Sequence, residues 1–96
     1  MLELKITEEA KKDLKAIGRY TPKQWGESQR RKYIKSLYER FDWLLKHPDK
    51  GNDRSEIWNG YFSYPEGKHQ IFYMVRDRTL VVIGVLHERM DFQQHL

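Results

Sequence analysis

The chain has 96 residues, a net charge of +4 and no cysteine, with 39% hydrophobic and 33% charged residues. This length fits one domain over residues 1–96, and the composition is too apolar for a disordered chain. The lack of cysteine excludes a disulfide framework and a thiolate metal site, and no apolar run approaches the ~20 residues of a membrane span. We therefore expect a cytoplasmic domain without a membrane segment, whose basic charge favours nucleic acid or an acidic protein as partner.

The N-terminal residues predict a strand followed by a helix. Leu2, Leu4 and Ile6 alternate with charged residues, which is the period of a half-buried strand. Thr7 is placed to cap the helix that follows. The apolar stripe of that helix is formed by Ala10, Leu14 and Ile17.

A second helix is predicted to begin at Thr21, where T-x-x-Q has the form of a capping box with Pro22 at the first helical position. His47-Pro48 ends it, because the residue before a proline avoids helical geometry. The two helices are nearly contiguous and are expected to form an antiparallel hairpin. The apolar residues of the second helix are Ile34, Leu37, Tyr38, Phe41, Leu44 and Leu45.

Three strands are predicted after the helices. The first lies in the apolar stretch at residues 57–64 and is closed by the turn residues Pro65-Glu66-Gly67. The next two, at residues 70–75 and 80–86, are joined by a tight turn at residues 76–79. The predicted fold is α+β: an N-terminal strand, an antiparallel helical hairpin packed on one sheet face, a three-stranded antiparallel meander that completes the sheet, and a short C-terminal helix that Asp91 is placed to cap.

The usual patterns of enzymes and metal proteins are missing from the sequence. The four histidines are too scattered for a helical metal pair, no glycine-rich phosphate loop follows a strand, and no G-x-S-x-G or Cys–His pattern indicates a nucleophile. We therefore predict no catalytic residue, no metal site and no cofactor. A nuclease with His69 or His87 as the base is the chemical alternative to a salt-bridged strand end, which we favour.

Two regions are candidates for protein binding. Arg31 and Lys35 belong to a basic stretch of the second helix, which is either a solvated face or a docking surface for an acidic chain or a phosphate backbone. Trp43 is predicted to point away from the apolar stripe as an interface anchor, whereas Trp25 is expected to fold back onto the hairpin. The other region is the tail after residue 86, which collects charged and reactive groups and ends in an apolar residue.

Several motifs, taken in order, resemble the ParE branch of the RelE/ParE toxin superfamily. The resemblance covers essentially the whole chain, and its most specific part is the ending L-H-x-R-M-D. The matching segments are A-x-x-D-L-x-x-I at residues 10–17, Tyr20-Thr21, Trp25-Gly26, the Leu37, Phe41 and Leu44 ladder, His47-Pro48, G-x-H-x-I-F-Y at residues 67–73, and L-H-x-R-M-D at residues 86–91.

The resemblance implies the toxin half of a bacterial toxin–antitoxin pair. ParE-like toxins are known for poisoning DNA gyrase and blocking replication without catalysing a reaction, and a ParD-like antitoxin wraps its C-terminal segment across the toxin. A ParD-like antitoxin and DNA gyrase are thus the implied partners, and no sequence-specific DNA binding is expected of this chain alone. The gyrase-binding candidates are His87, Arg89, Met90, Asp91, Phe92 and Trp43. The antitoxin-binding candidates are Arg31, Lys35, Tyr38, Leu14 and Ile17.

Two alternatives remain open within the same superfamily. RelE-like relatives cleave ribosome-bound mRNA, but His69 stands here where a central-strand arginine is expected, and Gln93 and Gln94 replace a late tyrosine. The chain also departs from many ParE-like toxins, because Phe62 and Met74 stand where those carry arginine. The second alternative is therefore a non-toxic binding module that keeps only the antitoxin or operator-complex contacts.

Overall fold

A strand, two helices and then an antiparallel meander follow one another along the chain. The computed structural model describes residues 2–20 and 22–96; the predicted capping box at Thr21 and the side chain of Trp25 lie outside what it describes. The elements are β1 (Glu3–Ile6), α1 (Glu8–Tyr20), α2 (Pro22–Lys46), a 3₁₀ turn (Pro48–Lys50), β2 (Asn52–Asp53), β3 (Phe62–Glu66), β4 (His69–Arg76), β5 (Thr79–His87) and α3 (Phe92–His95).

The strands form one mixed five-stranded sheet in the order β1-β5-β4-β3-β2. β1 pairs with β5 in parallel, and the other neighbours are antiparallel. A parallel neighbour requires a long crossover, and the chain from β1 to β5 supplies it through the two helices and the meander. The predicted α+β fold is confirmed, including the N-terminal strand and the short C-terminal helix.

The core lies between the two long helices and one face of the sheet. The predicted stripe of α1 is buried there, and so are the α2 residues Leu37, Phe41 and Leu44. They pack against the sheet residues Ile71, Tyr73, Leu80, Val82 and Val85. The hydroxyl of the fully buried Tyr73 donates to the Pro48 carbonyl at 2.8 Å, which satisfies its polar group inside the core.

Two predictions about local structure are wrong. The predicted second helix is interrupted, because Gly26 has φ 76° and ψ 171° and breaks the helical geometry inside α2. The strand predicted at residues 57–64 begins only at Phe62 and continues through Pro65 to Glu66. Proline is tolerated at this position because β3 pairs with β4 there, while β2 reaches only Phe62 and Ser63 and leaves the other edge open.

The solvent exposure expected of Trp43 as an interface anchor is not observed. Its ring is half-buried and lies 5.1 Å from that of Tyr64 on β3, with the Arg40 guanidinium 4.9 Å from the Trp43 ring centre. The side chain points away from the Leu37/Phe41 stripe along the helix, but β3 lies beside α2 and offers a second packing surface. Periodicity within one helix carries no information about that neighbouring strand.

The turn between β3 and β4 depends on a glycine. Gly67 has φ +57°, and a Cβ built on it would lie 2.6 Å from a ring carbon of Tyr33 on α2. The Tyr33 hydroxyl in turn accepts from the Lys68 amide at 3.2 Å and reaches the Glu66 carbonyl at 3.2 Å. Tyr33 therefore fastens this hairpin to α2, and glycine is needed both for the backbone conformation and for the close approach.

Replacing Gly67 with alanine is expected to destabilise the protein by two separable effects. The left-handed backbone alone costs about 1–2 kcal/mol, and displacement of the Tyr33 ring adds a packing cost. In a Tyr33→Ala background there is no ring to displace, so the packing cost is absent. A double-mutant cycle by urea unfolding should therefore give a coupling energy within the usual ~0.5–3 kcal/mol for residues in contact, whereas additive effects would rule out the steric explanation.

Candidate functional site

A groove of about 480 Å³ runs between α1 and α2 on the outer side of the helical layer. Its floor is apolar and its rim is basic, and none of the described side chains that line it is acidic. The lining residues are Lys11, Leu14, Lys15, Gly18, Arg19, Arg30, Ile34 and Tyr38. A groove of this composition suits an amphipathic chain with acidic groups along its edges.

The close passage of Arg30 over Gly18 shapes one end of the groove. A Cβ built on Gly18 would lie 3.5 Å from a guanidinium nitrogen of Arg30, so this side chain reaches close to α1. The same guanidinium pairs with Glu27 at 2.8 Å, while its Nε is buried without a hydrogen-bond partner among the described residues. Arg30 is therefore held in place at this end of the groove.

The predicted antitoxin-binding residues are only partly brought together. Leu14 and Tyr38 line the groove, and Tyr38 is 43% exposed. Ile17 is buried in the core with 8% exposure, so its contribution is to the packing of α1 on the sheet. Arg31 and Lys35 are exposed on α2 but do not line the groove.

Sequence reasoning missed the cations that do line the groove. A signal was present: Lys11, Lys15 and Arg19 recur every four residues on α1, and Arg30, Ile34 and Tyr38 recur every four on α2. Residues four apart lie on one face of a helix. The rim that the two rows form together depends on how the helices cross, which the sequence does not contain.

A second hollow, of about 740 Å³, follows β1 and meets the groove at Lys11. It is lined by Leu4, Lys5, Ile6, Thr7, Glu8 and Lys11. β1 is an edge strand that pairs with β5 on one side only, and Leu4 is 37% exposed. An unpaired strand edge offers main-chain donors and acceptors to an extended segment of another chain.

The predicted target-binding tail divides into a packed part and an exposed part. The Phe92 ring packs on that of Phe72 with ring centres 4.8 Å apart, on the sheet face opposite the long helices. Asp91 caps α3 by accepting from the Gln93 amide at 3.2 Å, as predicted. Arg89 is exposed, and Met90 is 44% exposed, so these two side chains remain open to a partner.

Trp43 and the tail are not brought together by the fold. Trp43 packs on Tyr64, whose β4 neighbour Ile71 points into the helix-side core. Phe92 packs on Phe72, the next residue along β4, and successive strand residues point to opposite faces. The two predicted target-binding regions therefore lie on opposite sides of the sheet.

Arg54 is a further residue on the tail side that sequence reasoning missed. Its guanidinium carbon lies 5.9 Å from the Phe72 ring centre and 5.6 Å from that of Phe92. Its Nε donates to the hydroxyl of the buried Ser63 at 2.8 Å. Arg54 thus ties the segment after β2 to the C-terminal helix through a cation–π contact and to β3 through a hydrogen bond.

A half-buried polar cluster underlies the turn that carries Arg89. His69 Nδ1 is hydrogen-bonded to the Tyr33 hydroxyl, and the His69 ring lies 5.3 Å from that of His87. Burial lowers the pKa of His69 to about 4, with a further lowering from His87 and an opposing effect of Glu88. His87, one of the predicted target-binding residues, is half-buried and accepts from the Arg89 amide at 3.2 Å, so it shapes this turn.

The described part of the chain contains neither a candidate metal site nor a candidate membrane-spanning helix. No group of three or more His, Cys, Asp or Glu side chains is positioned to hold a metal ion within residues 2–20 and 22–96. None of the helices over those residues is both long and apolar enough to cross a bilayer. The candidate surfaces are therefore the basic groove with its β1 extension and the exposed part of the tail.

Comparison with known proteins decides the family. The family model described as "ParE toxin of type II toxin-antitoxin system, parDE" matches residues 4–92. The chain belongs to the ParE toxin family. Toxin ParE1 of Caulobacter vibrioides is 31% identical over 96 residues, covering 100% of this chain and 99% of the relative. Toxin ParE of Escherichia coli is 34% identical over 92 residues, covering 95% and 89%.

Solved structures agree with the fold of the ParE family. A chain from the chromosomal ParDE system of Pseudomonas aeruginosa superposes with a TM-score of 0.78 at 19% identity, covering 91% of this chain and 96% of that one. A chain from the YoeB–YefM complex of Staphylococcus aureus gives a TM-score of 0.62 at 16% identity, covering 91% and 97%. The resemblance read from the sequence motifs is thus confirmed: this is a ParE-family toxin of a type II toxin–antitoxin system.

Protonation of His69 is expected to weaken this ParE-family fold in mild acid. The folded-state pKa of about 4 lies below the ordinary histidine pKa of 6.5, so the unfolded chain binds more protons between these values. The contribution of neutral His69 to stability is therefore fully present above about pH 6.5 and is lost as the pH falls toward about 4. Urea unfolding from pH 7 to pH 4.5 should show this decline, and His69→Gln should decline less. If the wild type and the His69→Gln variant lose stability equally as the pH falls, groups other than His69 cause the loss.

Proposed function

We propose that this toxin acts in the cytoplasm by binding DNA gyrase and blocking replication, without catalysing a reaction itself. The observation that supports this is the match to the ParE family over residues 4–92, together with curated ParE toxins at 31% and 34% identity. The contact with gyrase is assigned to the tail, where Arg89 and Met90 remain exposed beside a rigidly capped helix.

The first test compares a surface variant with a packing variant of the tail. Purified protein is expected to inhibit supercoiling by gyrase and to leave ribosome-bound mRNA intact. Arg89→Ala should relieve the inhibition by at least about tenfold with an unchanged melting temperature, because the side chain is exposed. Phe92→Ala should instead lower the stability by about 1–3 kcal/mol, since it removes the half-buried contact with Phe72.

Two outcomes would change the assignment. Transcript cleavage in a translation extract that disappears on mutating Arg89 or His87 would favour the RelE-like alternative of a ribosome-dependent endoribonuclease. Inhibition of gyrase that survives Arg89→Ala would move the contact to another surface, of which the half-buried Trp43 on α2 is the first candidate from the sequence. A folded protein that leaves both gyrase and mRNA untouched would favour the non-toxic module.

A ParD-like antitoxin is the partner that we propose for the groove. The four cations on the groove rim fit the acidic groups of an amphipathic helix, and the floor of Leu14, Ile34 and Tyr38 fits its apolar stripe. The solved ParDE system of Pseudomonas aeruginosa, whose chain shares this fold, supports a ParD-like partner. Beyond Lys11 the same chain can continue along the open edge of β1 as an extended segment.

Two double charge reversals of equal size distinguish long-range electrostatic attraction of the antitoxin from direct contact with it. Lys15→Glu with Arg19→Glu alters the groove rim, whereas Arg31→Glu with Lys35→Glu alters the solvated face of α2. Both double variants should slow association by roughly tenfold or more at low salt, because steering depends on the summed field.

Only the groove pair should also speed dissociation, since only those side chains touch the bound chain. Stopped-flow or surface-binding kinetics at two salt concentrations measure both rates. An unchanged association rate for Arg31→Glu with Lys35→Glu would show that this face takes no part. Unchanged dissociation for the groove pair would contradict the groove as the antitoxin site.

A further inference from the structure

Trp58 is the most exposed large apolar side chain in the described part of the chain, with 66% of its surface in solvent. It lies in the loop of residues 54–61 that connects β2 to β3, and we call this segment the Trp58 loop. Tryptophan is the residue most enriched among the dominant contacts of protein interfaces, because its burial removes a large apolar area from water. Neither the core nor the groove uses this side chain.

The Trp58 loop is held rigidly by its own main chain. The Arg54 amide donates to the Tyr61 carbonyl at 2.8 Å, and the Tyr61 amide donates to the Trp58 carbonyl at 3.0 Å. The Ile57 amide donates to the Arg54 carbonyl at 3.0 Å. A partner that binds this loop therefore pays little conformational entropy for ordering it.

Arg54 joins the Trp58 loop to the C-terminal helix. Its backbone closes the loop, while its guanidinium lies against both Phe72 and Phe92 on the sheet face opposite α1 and α2. The exposed Trp58 follows Arg54 by four residues, and the exposed Met90 precedes Phe92 by two. The Arg54–Phe92 contact therefore links the loop to the tail, on the sheet face opposite the helices that form the groove.

The charged residues of the Trp58 loop and the adjacent Asp53 of β2 are bonded to neighbours within this segment. The Arg54 guanidinium is 3.5 Å from the Glu56 carboxylate, and the Asp53 carboxylate accepts from the Ser55 amide at 2.7 Å. That hydrogen bond lowers the pKa of Asp53, which therefore stays ionised and bonded at neutral pH. Such a loop offers an acidic chain no net attraction. The Trp58 loop therefore fits an uncharged apolar pocket on a folded protein.

We propose that the Trp58 loop and the Arg89–Met90 turn together form the target-binding surface, with Trp58 inserted into an apolar pocket of the target protein. The inference rests on the proposed function and names gyrase as that target. Because the antitoxin groove lies on the other side of the sheet, substitutions in the two surfaces separate target binding from antitoxin binding.

The test is a reciprocal pair of aromatic truncations with a matched control. Trp58→Ala should weaken gyrase inhibition by about 30-fold, the size of a dominant interface contact, and leave antitoxin affinity and melting temperature unchanged. Tyr38→Ala, in the groove, should do the opposite. Val75→Ala removes another exposed apolar side chain, 42% exposed at the far end of β4, and should affect neither partner. Trp58→Phe should restore most of the inhibition.

Each contrary result is decisive. Full inhibition by Trp58→Ala, beside an active wild type, overturns the inference and leaves the proposed function standing. A Trp58→Ala variant that unfolds, or that loses antitoxin and gyrase binding equally, overturns it as well, since Trp58 is then structural or shared. A folded wild-type protein that does not inhibit gyrase overturns the proposed function and the inference together.

Discussion

The fold depends on how the open edge of β5 is satisfied. β5 is hydrogen-bonded to β4 on one side, but on the other β1 reaches only as far as Val82. Beyond that point, the Thr7 hydroxyl donates to the Ile83 carbonyl at 3.0 Å and the Asp13 carboxylate accepts from the Val85 amide at 3.0 Å. Side chains from the start of α1 thus replace the missing strand, and this fixes α1 against the sheet.

Burying the Asp13 carboxylate at this edge of the sheet is electrostatically unfavourable. Burial raises the pKa of Asp13, while the hydrogen bond from the Val85 amide opposes that shift. The register shift between Phe72 and Tyr73 leaves Ile83 without a β4 partner just where α1 takes over the edge. The position of α1 in turn sets the groove that it forms with α2, so the candidate antitoxin site depends on the same contact.

The sheet separates the two proposed partner surfaces. On one side the helices cover the core and leave the basic groove between them. On the other, α3 covers Phe72 and packs Leu96 close to Gly84, where a Cβ would lie 3.1 Å from a Leu96 methyl. The tail therefore covers part of the second face of the sheet, while its exposed turn and the Trp58 loop remain open to a partner.

The sequence by itself determined the class of fold and the family. Strong periodicity placed α1, the body of α2 and the last two strands, and the two-residue turn at Asp77 and Arg78 has the positive φ angles of 51° and 61° expected of a tight hairpin. The ParE resemblance rested on short motifs spread along the whole chain, so it did not depend on any single helix or strand. These features depend on residues close together in the sequence, so the sequence alone is enough to predict them.

Only the tertiary structure decided what surrounds each side chain. The sequence predicted Trp43 as exposed and Ile17 as a contact residue, but β3 half-buries the first and the sheet buries the second. It singled out Arg31 and Lys35, whereas the crossing of α1 and α2 brings Lys15, Arg19 and Arg30 to the groove. Arg54 acquired its role from Phe92, nearly forty positions further along the chain. The physical reason is common to all of these: burial and proximity arise from contacts between elements far apart in sequence, and periodicity reports only the face of the element on which a residue lies.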